Sequence, residues 1–156
     1  TPASPEWSQA ETARMLRRPS AAGVTLIAVA GTGEAAHAVG IGELSWASAA
    51  STRGELGVLV HDDQQGRGLG RALGRQLIVE ALMRGLHELY AELLPENRAA
   101  LRLLTSAGLP HTLVHSAGTL HITLDLGQLY PELGGGDEPV EDVQLWQCEH
   151  QGTLGA

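Results

Sequence analysis

Glycine at three alternate positions marks the centre of this chain. Gln65-Gly66-Arg67-Gly68-Leu69-Gly70 lies between a short strand-like run, GELGVLV (54–60), and the amphipathic stretch LGRALGRQLIVEALMRG (69–85). A chain that turns from strand to helix through so much glycine lets backbone N–H groups approach an oxyanion at the helix N-terminus, where the helix dipole adds partial positive charge. Arg67, Arg71 and Arg75 follow at four-residue spacing, lie near one helix face and can pair with phosphates. The turn is therefore an anion cradle, although a plain tight connection would look the same. It is not a P-loop, because no Gly-Lys-Ser/Thr follows, and it makes a poor dinucleotide fingerprint, because the next suitable acid, Glu88, falls inside a strand.

The rest of the pattern builds a sheet around that turn. Residues 7–18 read as a helix stopped by Pro19, and 24–31 and 36–47 read as a hairpin. The run 54–60 is a third strand. In the helix after the turn, Leu69, Leu73, Leu77 and Leu82 share one side, and Gly85 sits at the C-terminal cap. A strand at 86–94 follows, then a helix at 96–107, then a hairpin of 111–116 and 119–126 across Ser116-Ala117-Gly118. This order predicts an α+β domain over 1–126: a central, mixed, mostly antiparallel sheet with flanking helices and one parallel pair where a helix joins two strands. Residues 127–142 form an acidic linker rich in Gly and Pro, and 143–156 a tail. In that tail VQLWQC (143–148) alternates like a strand, and Trp146 is too large and apolar to leave in water. The expectation is an edge strand docked in this chain or on a second copy, which makes a homodimer one candidate assembly.

Composition removes several classes of function. All ten basic residues are Arg, and the formal net charge is −8, with six acids and no Arg after residue 126. A chain so acidic offers no general surface for phosphate backbones and favours cationic partners, so no nucleic-acid role is expected. No apolar run approaches a membrane-spanning length, and no basic-then-apolar leader opens the chain, so neither a membrane nor export is implied. Cys148, the single cysteine, forms no internal disulfide and has no evident base partner; the cytoplasm is the expected location. The seven His form no H-x-x-x-H or H-E-x-x-H helix, so no metal is expected, and no Ser lies in a nucleophile-elbow motif. The chain starts at Thr1 rather than Met, which leaves room for residues upstream.

The segment VHDDQQGRGLGRALGRQLIVEALMRGLHELYAELLPENRAALRLLTSAGL resembles the acetyl-CoA-binding core of the GNAT superfamily of N-acetyltransferases. The signature Q/R-x-x-G-x-G/A matches at Gln65, Gly68 and Gly70, and the likeness continues through Gly85 to Asn97 and Ala100. By element order it extends over 24–126, and within the superfamily the chain is most similar to bacterial Pat-type protein-lysine acetyltransferases. The resemblance implies the GNAT fold, with acetyl-CoA wedged between strands 54–60 and 86–94 where they splay after Val60. It implies that Gln65 and the backbone N–H groups of Arg67, Gly68, Gly70 and Arg71 hold the pyrophosphate. Val58 and Val60 would pair with pantetheine amides through main chain. Asn97 would hydrogen-bond the pantetheine arm, unless it serves only as a helix N-cap.

Acetyl transfer to an amine needs a base, an oxyanion stabiliser and a proton for the thiolate. Glu55, at the start of the strand feeding the turn, is the leading base, against the alternative of an exposed strand-end carboxylate. Glu92 and Glu43 come second, and His61 is a weaker candidate. Two departures from the family stand out. The position where many members carry a Tyr acid holds Leu104, which leaves solvent or the hydroxyls of Thr105 and Ser106 to protonate the thiolate. The family's usual first strand is also missing before Trp7, so upstream residues or another segment must fill that edge. The resulting expectation is an acetyl-CoA-dependent N-acetyltransferase whose acceptor is a small-molecule amine or a protein lysine. The alternatives are a non-catalytic acyl-CoA-binding or regulatory module and, more distantly, an interaction domain with an acidic tail.

Overall fold

The computed structural model describes residues 22–61, 66, 68–127 and 142–150. The helix expected at 7–18, the signature residues Gln65 and Arg67, and most of the acidic linker lie outside them. Alternating apolar residues produce seven strands: β1 (Ala22–Ala30), β2 (His37–Trp46), β3 (Arg53–Val60), β4 (Glu88–Leu93), β5 (His111–Ser116), β6 (Thr119–Asp125) and β7 (Val143–His150). Two helices interrupt them, α1 (Leu69–Met83) between β3 and β4 and α2 (Arg98–Thr105) between β4 and β5. The strands form one sheet in the order β5-β6-β4-β3-β2-β1-β7. Every neighbouring pair is antiparallel except β3 and β4, which α1 joins as a crossover.

Register places the core on one face. Val24 lies opposite Leu44, Leu44 opposite Leu56, Leu89 opposite Leu124 and Ala91 opposite Ile122, and all of these side chains are buried. The leucine stripe of α1 packs on this face: Leu69, Leu73 and Leu77 are at most 1% exposed. Gly40 and Gly42 let the helix come close, since a Cβ at either would stand 3.0 and 2.9 Å from the methyls of Leu73 and Leu77. The helix ends as the sequence indicates. Gly85 adopts φ +76°, its N–H donates to Leu82, and the N–H of Leu86 donates to Ala81 at 2.9 Å, closing a Schellman motif.

The tail strand docks in this chain. β7 pairs along the full length of β1, from Gly23 opposite His150 to Ala30 opposite Val143, so it covers the edge that otherwise lacks a strand. It runs two residues beyond the expected 143–148. One expectation fails: Trp146 stays 59% exposed, because it lies opposite Ile27 on the sheet face away from α1 and α2. Besides the ladder and Val143, which packs against the core, Arg84 ties β7 to the buried side of the sheet. Its guanidinium pairs with Glu80, which is 5% exposed, and with Glu149 of β7, and it stacks 5.1 Å from the ring of Trp46. Removing Arg84 leaves the buried Glu80 carboxylate without its cation, held only by the Gln76 amide at 3.4 Å, whereas Glu149 sits in water. Urea unfolding of Arg84→Ala should show a loss of about 3 kcal/mol, while Glu149→Gln should cost less than about 1 kcal/mol. Equal losses would mean that the strand contact, not the buried charge, dominates.

Candidate active site

The parallel pair at the centre of the sheet comes apart early. β3 and β4 pair at Arg53–Glu88, Gly54–Leu89 and Glu55–Tyr90, and there the ladder stops. The sequence reading put the splay after Val60; it begins after Glu55. From Leu56 onward β3 pairs in the sheet with β2 alone, through Val60 opposite Gly40. A bulge at Val39 holds that end in place: Val39 is skipped in the register between β1 and β2, and its carbonyl accepts the N–H of His61 at 2.9 Å. The gap is an open cleft. Leu56, Gly57, Val58 and Leu59 line one side, and Ala91, Glu92 and Leu93 the other, with Asn97, Ala100, Leu103 and Leu104 over the helix face.

The glycine turn opens beside this cleft. Gly68 is the N-cap of α1 in the left-handed conformation (φ +85°, ψ 6°), and Gly66 is left-handed too (φ +82°). The first intrahelical bond runs from Ala72 N–H to the Gly68 carbonyl, so the N–H groups of Leu69, Gly70 and Arg71 belong to the helix's orphan first turn. Gly70 packs between Val60 and Leu103, whose methyls would lie 3.5 Å from a Cβ there. That contact joins the turn, β3 and α2. Arg71 and Arg75 are exposed along α1. Of the expected anion-holding set, Gly68, Gly70 and Arg71 come together, while Gln65 and Arg67 lie outside the described residues.

Asn97 acts as the helix cap that the sequence allowed for. Its Oδ1 accepts the N–H of Ala100 at 3.2 Å, the N-cap of α2, and the residue also lines the cleft. Leu104 is buried at the cleft wall, where it packs and offers no proton. The two hydroxyls considered as substitutes are engaged elsewhere. Thr105 Oγ1 donates to the Leu101 carbonyl at 2.8 Å and Ser106 Oγ to the Leu103 carbonyl at 3.0 Å, as hydroxyls in a final helical turn commonly do. Neither lines the cleft.

On the far side of the sheet the cleft is acidic. Glu43, Ser45, Glu55 and Glu92 all line it, and Ser45 lies directly opposite Glu55. Glu55 is the last residue of β3 paired with β4, at the apex of the splay. His61 caps the end of β3 through its backbone and does not line the cleft. A group that sequence reasoning missed stands next to these carboxylates. The Tyr90 hydroxyl donates to Glu92 Oε1 at 2.7 Å and also contacts His121 Nδ1, while Arg53 lies 4.5 Å above the Tyr90 ring. Burial first, then the hydrogen bond to Glu92, push the Tyr90 phenol up to about 12, so it stays protonated at neutral pH. Alternation in β4 puts Tyr90 and Glu92 on one face, which was readable; the strand that brings His121 opposite Glu92 was not. Among the described residues no group of His, Cys, Asp and Glu is arranged to hold a metal, and no helix is long and apolar enough to cross a membrane.

Comparison with known proteins follows the same lines. The family model for the acetyltransferase (GNAT) domain matches residues 1–110. Among solved structures, the chain is similar to the GNAT domain of S. lividans PAT, at 25% identity and a TM-score of 0.54, covering 65% of this chain and 61% of that one. It is similar to a cAMP-binding acyltransferase from Mycobacterium smegmatis, at 25% identity and a TM-score of 0.53, covering 64% of this chain and 31% of that one. A domain from Methanocaldococcus jannaschii, 19% identical with a TM-score of 0.57, shares the fold over 74% of this chain and 72% of its own. The chain thus spans about three-fifths of the S. lividans domain and under a third of the M. smegmatis enzyme. No curated protein matches the sequence.

Proposed function

The chain belongs to the GNAT acetyltransferase family, and from that premise we propose that it moves an acetyl group from acetyl-CoA to a primary amine by direct attack. The observation that carries this reading is the alignment of the β3–β4 splay with the N-terminus of α1 behind left-handed Gly68. Its parts suit the cosubstrate: an apolar slot for pantetheine, and an orphan helical turn for the pyrophosphate. Acetyl-CoA, when bound, supplies an activated acyl group with a thiol leaving group.

The chain's residues then have separable tasks. Gly68, Gly70 and Arg71 hold the diphosphate by backbone N–H, with Gln65 and Arg67 completing the turn. Val58 and Val60 present main chain to the pantetheine amides, and Asn97 hydrogen-bonds the same arm while capping α2. Glu55, at the apex of the splay, accepts the proton lost from nitrogen as the new amide forms. No described side chain supplies the thiolate proton, which falls to solvent. The acceptor is an amine, with a protein lysine favoured by the likeness to the PAT domain and by the chain's negative charge, and the setting is the cytoplasm. Thiol release from acetyl-CoA, measured with a panel of small amines and lysine peptides, tests this. Binding of acetyl-CoA without turnover on any amine would favour the second reading, a non-catalytic acyl-CoA-binding module, to which buried Leu104 lends support.

A further inference from the structure

The sheet has two edge strands, and they are not alike. β7 carries Glu149 near its end. β5, at the other edge, reads His111-Thr112-Leu113-Val114-His115-Ser116, with no Asp, Glu, Lys, Arg or Pro and no shift in register. Charges, prolines and bulges are what edge strands usually carry against pairing with another chain, and β5 has none of them. All six of its residues are exposed, so neither face of the strand is covered. Leu113 and Val114, side by side, are 40% and 52% exposed.

Register shows which backbone groups of β5 are spare. A two-residue turn joins β5 to β6, with Ala117 and Gly118 both at positive φ, 50° and 77°, so the flanking pair Ser116–Thr119 exchanges hydrogen bonds. Such pairs recur at every second position, through Val114–His121 and Thr112–Thr123. The N–H of Asp125, donating to the Pro110 carbonyl at 2.8 Å, fixes the same phase. Thr112, Val114 and Ser116 therefore bond inward to β6. The N–H and C=O groups of His111, Leu113 and His115 point out of the sheet, where no described residue pairs with them. Pleating puts these three side chains on the same face as Leu120, Ile122 and Leu124.

We propose that β5 pairs with β5 of a second copy, antiparallel about a two-fold axis at Leu113. Hydrogen bonds form only where both residues of a pair face outward, so odd-numbered residues meet odd-numbered residues. One register uses every outward group of both chains: His111 lies opposite His115 of the other copy, Leu113 opposite its own equivalent, and His115 opposite His111. The two Leu113 side chains then cover each other on the helix-bearing face, and Val114 meets Thr112 of the other copy on the opposite face. The strand is thus its own complement, which favours a second copy over an unrelated extended peptide. Charge points the same way. Copies with a formal net charge of −8 repel each other, so contact between them needs a stretch free of acids, and β5 is one. The product is a closed, isologous dimer with one continuous sheet and the helices of both copies on the same side. It stands independently of the acetyl-transfer reading.

Sedimentation equilibrium and amide hydrogen exchange on the wild-type chain test this together. The dimer fraction should rise with concentration, and protection of the His111, Leu113 and His115 amides should rise with it, while Val114 and Ser116 stay protected throughout. Leu113→Lys sets two ammonium groups opposite each other at the axis and should weaken dimerisation roughly tenfold with far-UV circular dichroism unchanged. Register is read by cross-linking in a Cys148→Ser background. Leu113→Cys should oxidise to a disulfide-linked dimer, since paired Cα atoms stand about 5.5 Å apart, and Thr112→Cys, which faces Val114 of the other copy, should not. A chain that stays monomeric into the millimolar range, a dimer that Leu113→Lys leaves intact, or cross-linking as ready at Thr112→Cys as at Leu113→Cys would each overturn the proposal. Open-ended polymers, or protection of β5 that appears only when an extended peptide is added, would overturn it as well.

Discussion

Glu55→Gln should leave acetyl-CoA affinity within about twofold and lower kcat roughly 10²–10⁴-fold, the usual worth of a general base. The change keeps the side chain's shape and hydrogen-bonding capacity, and only the proton acceptor is lost. Glu55 lies where β3 and β4 part, opposite Ser45 and Tyr90, so the amide side chain fits the same place in the sheet. The deficit should persist at alkaline pH, because the proton released as the amide forms must be taken even when the amine arrives neutral. Steady-state thiol release across pH checks this. Full activity in Glu55→Gln would pass the role to Glu92 or to water.

Gly68→Asp should abolish acetyl-CoA binding. Gly68 stands at φ +85°, where any side chain is strained, but a Cβ there meets nothing within 4 Å, so the added group points into open space at the start of α1. Aspartate tolerates the left-handed region better than alanine does, so its folding cost should be no greater than that of Gly68→Ala. Both variants share the strain; only Asp brings a negative charge to the orphan N–H groups that a diphosphate needs. Calorimetry should therefore find measurable binding in Gly68→Ala and none in Gly68→Asp. Arg71→Ala should weaken binding by an amount that shrinks as salt is raised, since an exposed arginine acts through a screened field. Unchanged binding in Gly68→Asp would remove the diphosphate from the turn.

Much of this architecture was legible because it is written in local signals. The leucine stripe at 69, 73 and 77, Gly85 as helix terminator and the alternation of β4 and β6 each specify their element without help from distant residues. The tail strand was legible by its alternation, although its partner was not, because strand pairing at long separation leaves no local trace. The same limit explains the two errors at the cleft. Where a parallel pair splays depends on how β4 is held by β6 on its other side, and the separation comes after Glu55 rather than Val60. The Tyr90–Glu92–His121 group spans two strands that are not consecutive in sequence, so no motif announces it. Trp146 misled for a different reason: size and apolarity state a preference for burial, while an edge strand has little to bury against.

The central claim is that acetyl-CoA occupies the β3–β4 gap with its diphosphate on the first turn of α1. Titrating isotopically labelled protein with acetyl-CoA and following backbone amides by NMR tests it most directly. Saturable shifts should concentrate at Gly68, Gly70 and Arg71, along Leu56 to Val60 of β3, and at Ala91 to Leu93 of β4, while the β5 and β7 edges stay unmoved. Shifts confined to other surfaces, or none at saturating ligand, would contradict the account.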